Sequence, residues 1–281
     1  MGLNRKPEFC FITPFDYVNF AENSNTHLTL AHLVDSNDEY AAFYHMCRTV
    51  NDYIIMDNSA YELKEPYDTE KLIALGHKCG ANAIVLPDYP FQDSSVTILA
   101  AEQYIADFKK DGFHTFFVPQ SNIGDYSDWT YAYNWAANHQ DIDIIGMSIL
   151  GIPNAIPHID PAYSRVVMSQ RLIDAGAFNK NKHHHYLGLN AGPALEIPSL
   201  LRMQTLDSID SSGPVWAAIL GHQYTTDADS LQSVSKLKMP VNFNHPWSKD
   251  EATIARIKHN VKLTKNLFEN PEDVMPWYAQ E

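Results

Sequence analysis

The chain has 281 residues, of which 45% are hydrophobic and 12% aromatic, and its 20 Lys and Arg against 34 Asp and Glu give a formal net charge of −14. This length fits one large domain, 1–281, and the lack of any run of about 18 apolar residues excludes an apolar membrane-spanning helix. The acidic excess works against non-specific nucleic-acid binding, which relies on cations that neutralise phosphates. Any nucleic-acid surface must therefore concentrate its basic residues on one face.

Cysteine usage and the N-terminal residues bear on the compartment. Cys10, Cys47 and Cys79 are odd in number and far apart, so we expect free, mostly buried thiols rather than disulfides or a cysteine-rich zinc site. Residues 1–6 lead into a strand-like segment with no hydrophobic signal-peptide core. We therefore expect a cytoplasmic protein with no membrane partner.

Short apolar segments alternate with helical stretches along the chain, which is typical of a parallel α/β fold. Eight such segments predict strands at 9–14, 27–33, 53–57, 83–87, 115–119, 142–149, 185–190 and 206–210. Eight βα units in one chain favour a closed (β/α)₈ barrel of the TIM type. An open sheet remains the alternative, because periodicity does not prove closure.

Helix starts are marked by capping residues between the strands. Ser36 with Glu39 forms a capping box, and Asp68 or Thr69 begins a helix that ends at Gly80. Further starts are predicted at Asp93 and at Asp160–Pro161, and closing helices are predicted at 227–237 and 249–268.

Polar residues stand where several predicted strands end, which is where barrel enzymes carry their active sites. They are Asp57, Asp88, Gln120, Ser148, Asp207 and Asp210. Carboxylates that converge at one rim drive their pKa values apart, so that one can attack while another moves protons, as in glycosyl transfer. The structural alternative for each aspartate is a cap on the following helix.

In chain order these residues resemble the tRNA-guanine transglycosylase superfamily. The stretch 57–62 resembles its Asp-Ser-Gly-Gly-aromatic-Gln segment, and the later matches are Asp88, Gln120, the pair Gly146 and Gly151, the run Tyr186-Leu187-Gly188, and Asp210 four residues before Pro214. Each motif alone is weak, whereas six in order over 53–214 are moderately specific.

Departures from the family pattern indicate which branch of the family the sequence resembles. The family's Cys-x-Cys-x-x-Cys zinc site and the arginine-rich stretch after the nucleophile are absent from this sequence, Met147 replaces a loop glycine, and Ile152 replaces an acidic residue. The compact pattern is more similar to the zinc-free phage branch, which places 7-deazaguanine derivatives such as 7-cyano-7-deazaguanine into DNA. The resemblance therefore implies a DNA partner, a 7-deazaguanine base, and neither a metal nor another cofactor.

By this resemblance, Asp210 attacks C1′ of a guanosine and Asp57 acts as general acid and base. Tyr61 stacks on the base, Asp88 and Gln120 read its amidine and carbonyl edge, and backbone groups at Gly146, Met147 and Ser148 complete the pocket. A base in duplex DNA must leave the stack to reach this pocket. Asp207 is the reserve nucleophile, with helix capping as its structural alternative. The number of subunits is left open, a homodimer included.

Basic residues are clustered in one predicted helix. Lys258, Lys262 and Lys265 fall on one helix face and are candidates for phosphate contact, with a solvated face as the alternative. The run His183-His184-His185 suggests strand-edge or phosphate contact rather than a metal site, because consecutive strand residues point to opposite faces.

Three other functions remain open at this point. The first is a tRNA-modifying enzyme with the same carboxylate chemistry, and the second is a base-binding relative without catalysis. The third is a metal-dependent barrel hydrolase, which needs paired ligands on early strands. His27 and His32 are five residues apart and cannot both point inward from one regular strand.

Overall fold

Eight parallel strands form a nearly closed barrel in the computed structural model, which describes residues 6–189, 193–225, 242–244, 246–247 and 249–271. The hydrogen-bonded order is β1-β8-β7-β6-β5-β4-β3-β2. Strands β1 and β2 lie next to each other at the seam, although no ladder joins them among the described residues. The predicted (β/α)₈ barrel is confirmed. The strands are β1 Glu8–Phe11, β2 Thr26–Leu30, β3 Tyr53–Asp57, β4 Ala83–Val85, β5 His114–Phe117, β6 Ile144–Gly146, β7 His183–Tyr186 and β8 Ser208–Ser211.

Helices connect the strands around the outside. A 3₁₀ segment, Phe15–Asn23, follows β1. The described helices are α1 Ala31–Ser36, α2 Asp38–Thr49, α3 Ala60–Leu63, α4 Thr69–Cys79, α5 Ser94–Lys110, α6 Tyr126–Asn138, α7 Gly151–Ala155, α8 Pro161–Asp174, α9 Pro193–Met203, α10 Gly213–Ile219 and α11 Glu251–Glu269. None of them has the length and apolar run needed to cross a bilayer. The helix predicted at 227–237 lies outside the described residues.

Capping side chains fix most helix starts where the sequence predicts them. Asp68, Asp93 and Asp160 each accept a backbone N–H in the first turn of α4, α5 and α8. The predicted Ser36 cap of α2 is wrong, because Asn37 accepts the N–H groups of Glu39 and Tyr40 instead. The Ser36 hydroxyl donates back to the His32 carbonyl and therefore belongs to α1.

Strand ends differ from the predictions where polar residues intervene. Strand β2 ends at Leu30 because α1 begins at Ala31, so His32 lies beyond the strand. Strand β7 begins at His183, two residues earlier than predicted, so all three consecutive histidines belong to the strand itself. His184 and His185 are completely buried. The prediction that this run contacts phosphate or forms an exposed edge is therefore wrong.

The barrel interior is polar along part of its length. The Tyr53 hydroxyl lies 2.6 Å from His114 Nδ1, and these residues belong to β3 and β5, which are not neighbours in the sheet. This contact must therefore cross the interior. The rings of Phe116 on β5 and His185 on β7 approach to 5.5 Å in the same way. The three cysteines are free and buried, as predicted.

Candidate active site

The carboxyl ends of the strands bring the predicted acidic residues to one rim. Asp57 ends β3, Asp210 lies near the end of β8, and Asp88 and Gln120 follow β4 and β5. All eight strands run parallel, so these ends lie on the same face of the barrel. Asp88, Gln120 and Asp210 are buried, and Asp57 is partly buried.

Asp57 lies in an acidic environment that favours its protonated form. Burial raises the pKa of this carboxyl well above its usual range, and the charges of Glu62, Asp88 and Asp210 raise it further. The Ser59 N–H opposes the shift by donating to Asp57 Oδ2 at 2.7 Å. Ser59 holds a left-handed conformation with φ +60°, and this turn aims its N–H back at the carboxylate.

The short helix α3 presents two side chains at the rim. The Tyr61 ring is 49% exposed, whereas Glu62 Oε2 is buried and has no hydrogen-bond partner among the described residues. Burial raises the pKa of Glu62 to about 7, and the Asp210 charge adds to the shift. Glu62 therefore titrates close to neutral pH at this rim. The sequence interpretation gave this residue no role, although Glu62 occupies the last position of the resembled segment 57–62.

A hydrogen-bonded group of amides surrounds Asp88. Asn58 Nδ2 donates to Asp88 Oδ1 at 2.8 Å, and Gln120 Nε2 donates to Asp88 Oδ2 at 2.7 Å. Burial raises the pKa of Asp88, while the bonds from Asn58 and Gln120 oppose that shift. Each carboxylate oxygen keeps a lone pair for a further donor. Asp88 is thus a fixed acceptor for two N–H groups.

Gln120 has one amide atom left for a ligand. Its Oε1 is buried without a hydrogen-bond partner among the described residues. A Cβ at Gly151 would lie 3.0 Å from this oxygen, so the glycine keeps space beside it. As positioned, the free atom is an acceptor. It suits an N–H of a base, and contact with a base carbonyl would require the amide to turn and release Asp88.

Asp210 is held by one oxygen only. Gly188 N and His185 Nε2 lie 2.9 and 3.0 Å from Oδ1. Oδ2 makes no hydrogen bond to the described residues. Gly188 has φ +72°, and a Cβ there would meet Ile149 at 3.0 Å, so this turn requires glycine to present its N–H to Asp210.

A polar row runs from Asp210 into the barrel. His185 Nδ1 lies 2.7 Å from Ser208 Oγ, which also lies 2.6 Å from His183 Nε2. Serine, histidine and aspartate therefore occur in the order seen in nucleophilic serine triads. Ser208, however, precedes Asp210 on β8, lies deeper in the barrel and is 1% exposed. The rim end of the row is the carboxylate, so this geometry does not support a serine nucleophile.

His185 contacts Asp210, and the sequence interpretation did not predict this contact. The strand period of two places His183 and His185 on one face, and β7 and β8 are neighbours in the barrel. The missing information was the register, in which His185 lies opposite Ser208 and Tyr186 opposite Ile209.

A buried ion pair fixes the loops that follow β6 and β7. Arg165 of α8 makes two 2.6 Å bonds to Glu196 of α9, and both side chains are fully buried. The guanidinium also donates to the carbonyls of Met147, Leu187 and Gly188. This pair, which the sequence analysis did not single out, therefore holds the chain on which the Gly188 N–H depends.

The three predicted pocket residues at and just after the end of β6 serve the local structure. A Cβ at Gly146 would lie 2.7 Å from Phe116, so this glycine provides packing space inside the barrel. Met147 is fully buried, and the Ser148 hydroxyl oxygen accepts the N–H groups of Leu150 and Gly151. Their contribution to a base pocket stays a prediction.

The reserve nucleophile and the lysine face both lie away from the acidic rim. Asp207 precedes β8 at the amino end of the strands, where its Oδ2 accepts the His184 N–H at 2.8 Å, so the geometry excludes it as a rim nucleophile. Lys258, Lys262 and Lys265 share one face, as predicted. They line a groove of ≈ 440 Å³ that includes Asn23, just before β2. The lysines therefore lie toward the opposite end of the barrel from the carboxylates.

One group among the described residues has metal-ligand atoms close together. Atoms of His27, Cys47 and Asp52 lie within 4.8 Å of one another. His27 Nε2 already bonds Asp52 at 2.9 Å, and three ligands are one short of a closed tetrahedral zinc site. The His27 ring packs against Tyr44 of α2, outside the barrel lumen. This group is separate from the acidic rim.

Comparisons with known proteins give no family. No protein-family model and no curated protein matches the sequence. Among solved structures, RipC from Yersinia pestis matches with a TM-score of 0.45 and 9% identity over 85% of this chain and 98% of its own. An HpcH/HpaI aldolase/citrate lyase family protein from Burkholderia cenocepacia matches with a TM-score of 0.49 and 8% identity over 74% and 89%. At these values neither neighbour's function transfers to this chain.

Proposed function

We propose that this protein is an enzyme that exchanges guanine for a 7-deazaguanine derivative in DNA through a covalent glycosyl-aspartate intermediate. The observation that carries the proposal is the pairing of two unlike carboxyls at one rim. Asp210 has one oxygen held by two donors and the other open. Burial and the neighbouring carboxylates raise the pKa of Asp57, which favours its protonated form. A nucleophile and a proton donor are the two groups that double displacement at a sugar carbon needs.

The reaction then proceeds in two balanced steps. Asp210 Oδ2 forms a bond to C1′ as the C1′–N9 bond breaks, and the departing guanine takes the Asp57 proton. In the second step the ionised Asp57 removes the N9 proton of the incoming 7-deazaguanine. N9 then bonds to C1′, and Asp210 leaves as a carboxylate. Neither step needs a metal ion or a redox partner.

The recognition groups fit a guanine-like edge. Asp88 is fixed by two amides and keeps lone pairs for N1–H and the exocyclic amine of the base. The open Oε1 of Gln120 is a further acceptor in the same place. The half-exposed Tyr61 ring offers a stacking surface at the rim, with Lys64 Nζ 4.8 Å from its centroid. A 7-deazaguanine differs from guanine at position 7, where a substituted carbon replaces the nitrogen, and position 7 is not part of the N1 and exocyclic-amine edge that Asp88 would bind.

DNA rather than tRNA is proposed from the sequence resemblance. Both the zinc site and the arginine-rich stretch of the tRNA enzymes are missing from this chain. The net charge of −14 further implies weak non-specific binding of any polymer. The carboxylate chemistry is common to both polymers, so the choice between them needs a direct assay.

The test is incubation of the purified protein with duplex DNA, single-stranded DNA or tRNA and radiolabelled guanine. We expect label in DNA for the wild type and none for Asp210→Asn, whose fold is checked by circular dichroism. Label in tRNA alone would assign the RNA reaction instead. A wild-type protein that labels neither polymer, or an Asp210→Asn variant with normal turnover, would contradict the proposal.

A further inference from the structure

We propose that His185 is a positioning residue for Asp210: its Nε2–H fixes Oδ1, makes Oδ2 the attacking atom, and stays bonded to the ester carbonyl of the intermediate. This inference rests on the proposed function and assigns a role to a residue that the family resemblance does not include. The contact behind it is the 3.0 Å approach of His185 Nε2 to Asp210 Oδ1.

The direction of this hydrogen bond follows from its neighbours. Oδ1 already accepts the Gly188 N–H at 2.9 Å, so it acts as an acceptor and His185 Nε2 as the donor. His185 is completely buried and Asp210 is 5% exposed, so water has little access to this contact. Two converging donors on one oxygen fix the plane of the carboxylate. The other oxygen is left facing the rim.

The polar row behind His185 sets its tautomer. With Nε2 protonated, Nδ1 accepts the Ser208 hydroxyl, and Ser208 Oγ in turn accepts the His183 Nε2–H. Burial and the neighbouring histidines lower the pKa of His183 to about 3, so this residue stays neutral. Every hydrogen in the row then points toward Asp210. Aligned dipoles of this kind stabilise negative charge on the carboxylate.

The contact matters most when Asp210 must leave. In the covalent intermediate Oδ2 is bonded to C1′, and Oδ1 is the ester carbonyl, still facing His185 Nε2–H and Gly188 N–H. Cleavage of the C1′–O bond returns an electron pair to the carboxylate, and the two donors stabilise that developing charge. We therefore expect loss of the His185 donor to slow cleavage of the bond between C1′ and Asp210 more than it weakens binding of the base.

Matched variants separate this role from a structural one. His185→Phe keeps a ring but removes the donor, whereas His185→Gln returns an N–H near the Nε2 position. His184→Gln is the control. His184 directly precedes His185 in β7 and is equally buried, but it contacts Tyr133 on the outer side of the barrel. We expect exchange to fall about 10²-fold or more in His185→Phe. We expect His185→Gln to recover at least about tenfold of that loss, and KM for the base to change less than about threefold in either variant.

Two outcomes would overturn the inference. One is exchange by His185→Phe within about twofold of the wild type, and the other is equal loss in His185→Gln, His185→Phe and His184→Gln, which would indicate a structural effect. A long-range ¹H–¹⁵N spectrum of the wild type, assigned with His185→Gln, needs no substrate. It should show a proton on His185 Nε2, and a proton on Nδ1 alone would refute the role even if exchange occurs. Failure of the wild type to modify any polymer would instead refute the proposed function. The spectrum would then still test whether His185 Nε2 carries the proton that it donates to Asp210.

Discussion

Asp57 and Asp210 differ in their surroundings, and the difference assigns their roles. Asp210 Oδ1 accepts a hydrogen bond from Gly188 N and lies 3.0 Å from His185 Nε2, while its Oδ2 makes no hydrogen bond to the described residues. Asp57 accepts a hydrogen bond from the Ser59 N–H, and it faces the charges of Glu62 and Asp88. Two carboxyls with unlike environments at one rim can divide attack and proton transfer between them.

Removal of the Asp57 carboxyl tests its role as the proton donor. We expect Asp57→Asn to lower kcat for exchange by about 10²–10⁴-fold, because the departing base then leaves without a proton. The pKa of Asp57 is raised, so wild-type activity should decline as the pH rises through the pKa of this carboxyl and Asp57 loses the proton that it donates. The decline should be absent from the residual activity of the variant. A pH–rate profile unchanged by the substitution would remove Asp57 from the mechanism.

Glu62 gives a stability signature that is independent of any substrate. Its pKa is raised from 4.5 to about 7, so the folded state holds a proton that the unfolded state releases between these values. The stabilisation is fully present below pH 4.5 and is lost as pH rises through about 7. In urea titrations, the unfolding free energy of the wild type should fall between pH 4.5 and about 7, and in Glu62→Gln this fall should be smaller by on the order of 2 kcal/mol. The exposed Glu65→Gln variant is the control, and the same reduction in both would contradict the assignment.

At the scale of elements, β7 and β8 contribute more to the site than their sequences suggest. The three histidines of β7 alternate between the interior and the helix layer, and only His185 meets Asp210. Its partner depends on the register of β8, which the sequence of neither strand specifies alone. Helix starts, by contrast, are local, and the caps at Asp68, Asp93 and Asp160 were predictable because each acts on its own first turn.

Substitutions in helix α11 test whether the face formed by Lys258, Lys262 and Lys265 contacts DNA. The groove along this face lies toward the amino end of the strands, beside Asn23 and Phe20, and away from Asp57 and Asp210. We therefore expect the triple variant Lys258→Gln, Lys262→Gln, Lys265→Gln to exchange bases within about twofold of the wild type, with the salt dependence of DNA binding unchanged. A loss above about tenfold with a shallower salt slope would show instead that the polymer follows this groove.

At the scale of the whole molecule, the alternation of strand and helix signals was enough to predict eight parallel βα units and to favour a (β/α)₈ barrel over an open sheet. That fold alone brought Asp57, Asp88, Gln120 and Asp210 to one rim, because parallel strands end on the same face. The buried Arg165–Glu196 pair was not predictable, since its members lie on different helices and face the interior through packing. Barrel closure was likewise beyond periodicity, because it depends on how β1 and β2 meet at the seam.

The same ion pair links the stability of the barrel to the geometry of its rim. Arg165→Met leaves the Glu196 carboxylate buried without its partner, and we expect a loss of about 3–5 kcal/mol in unfolding free energy. The double variant Arg165→Met, Glu196→Leu should recover the part of that loss that comes from the unpaired carboxylate, as measured by urea denaturation, but not the part that comes from the loop carbonyls that Arg165 binds. A single variant as stable as the wild type would contradict the view that this pair fixes the loops after β6 and β7.

In the proposed mechanism, Asp210 becomes covalently bonded to the sugar of the target nucleotide. The most direct measurement is mass spectrometry of the protein after incubation with guanine-containing DNA, denaturation and proteolysis. We predict a sugar-linked adduct on the peptide that contains Asp210, formed more slowly by Asp57→Asn and absent from Asp210→Asn. Base exchange without any adduct on this peptide, or with an adduct at another residue, would contradict the account.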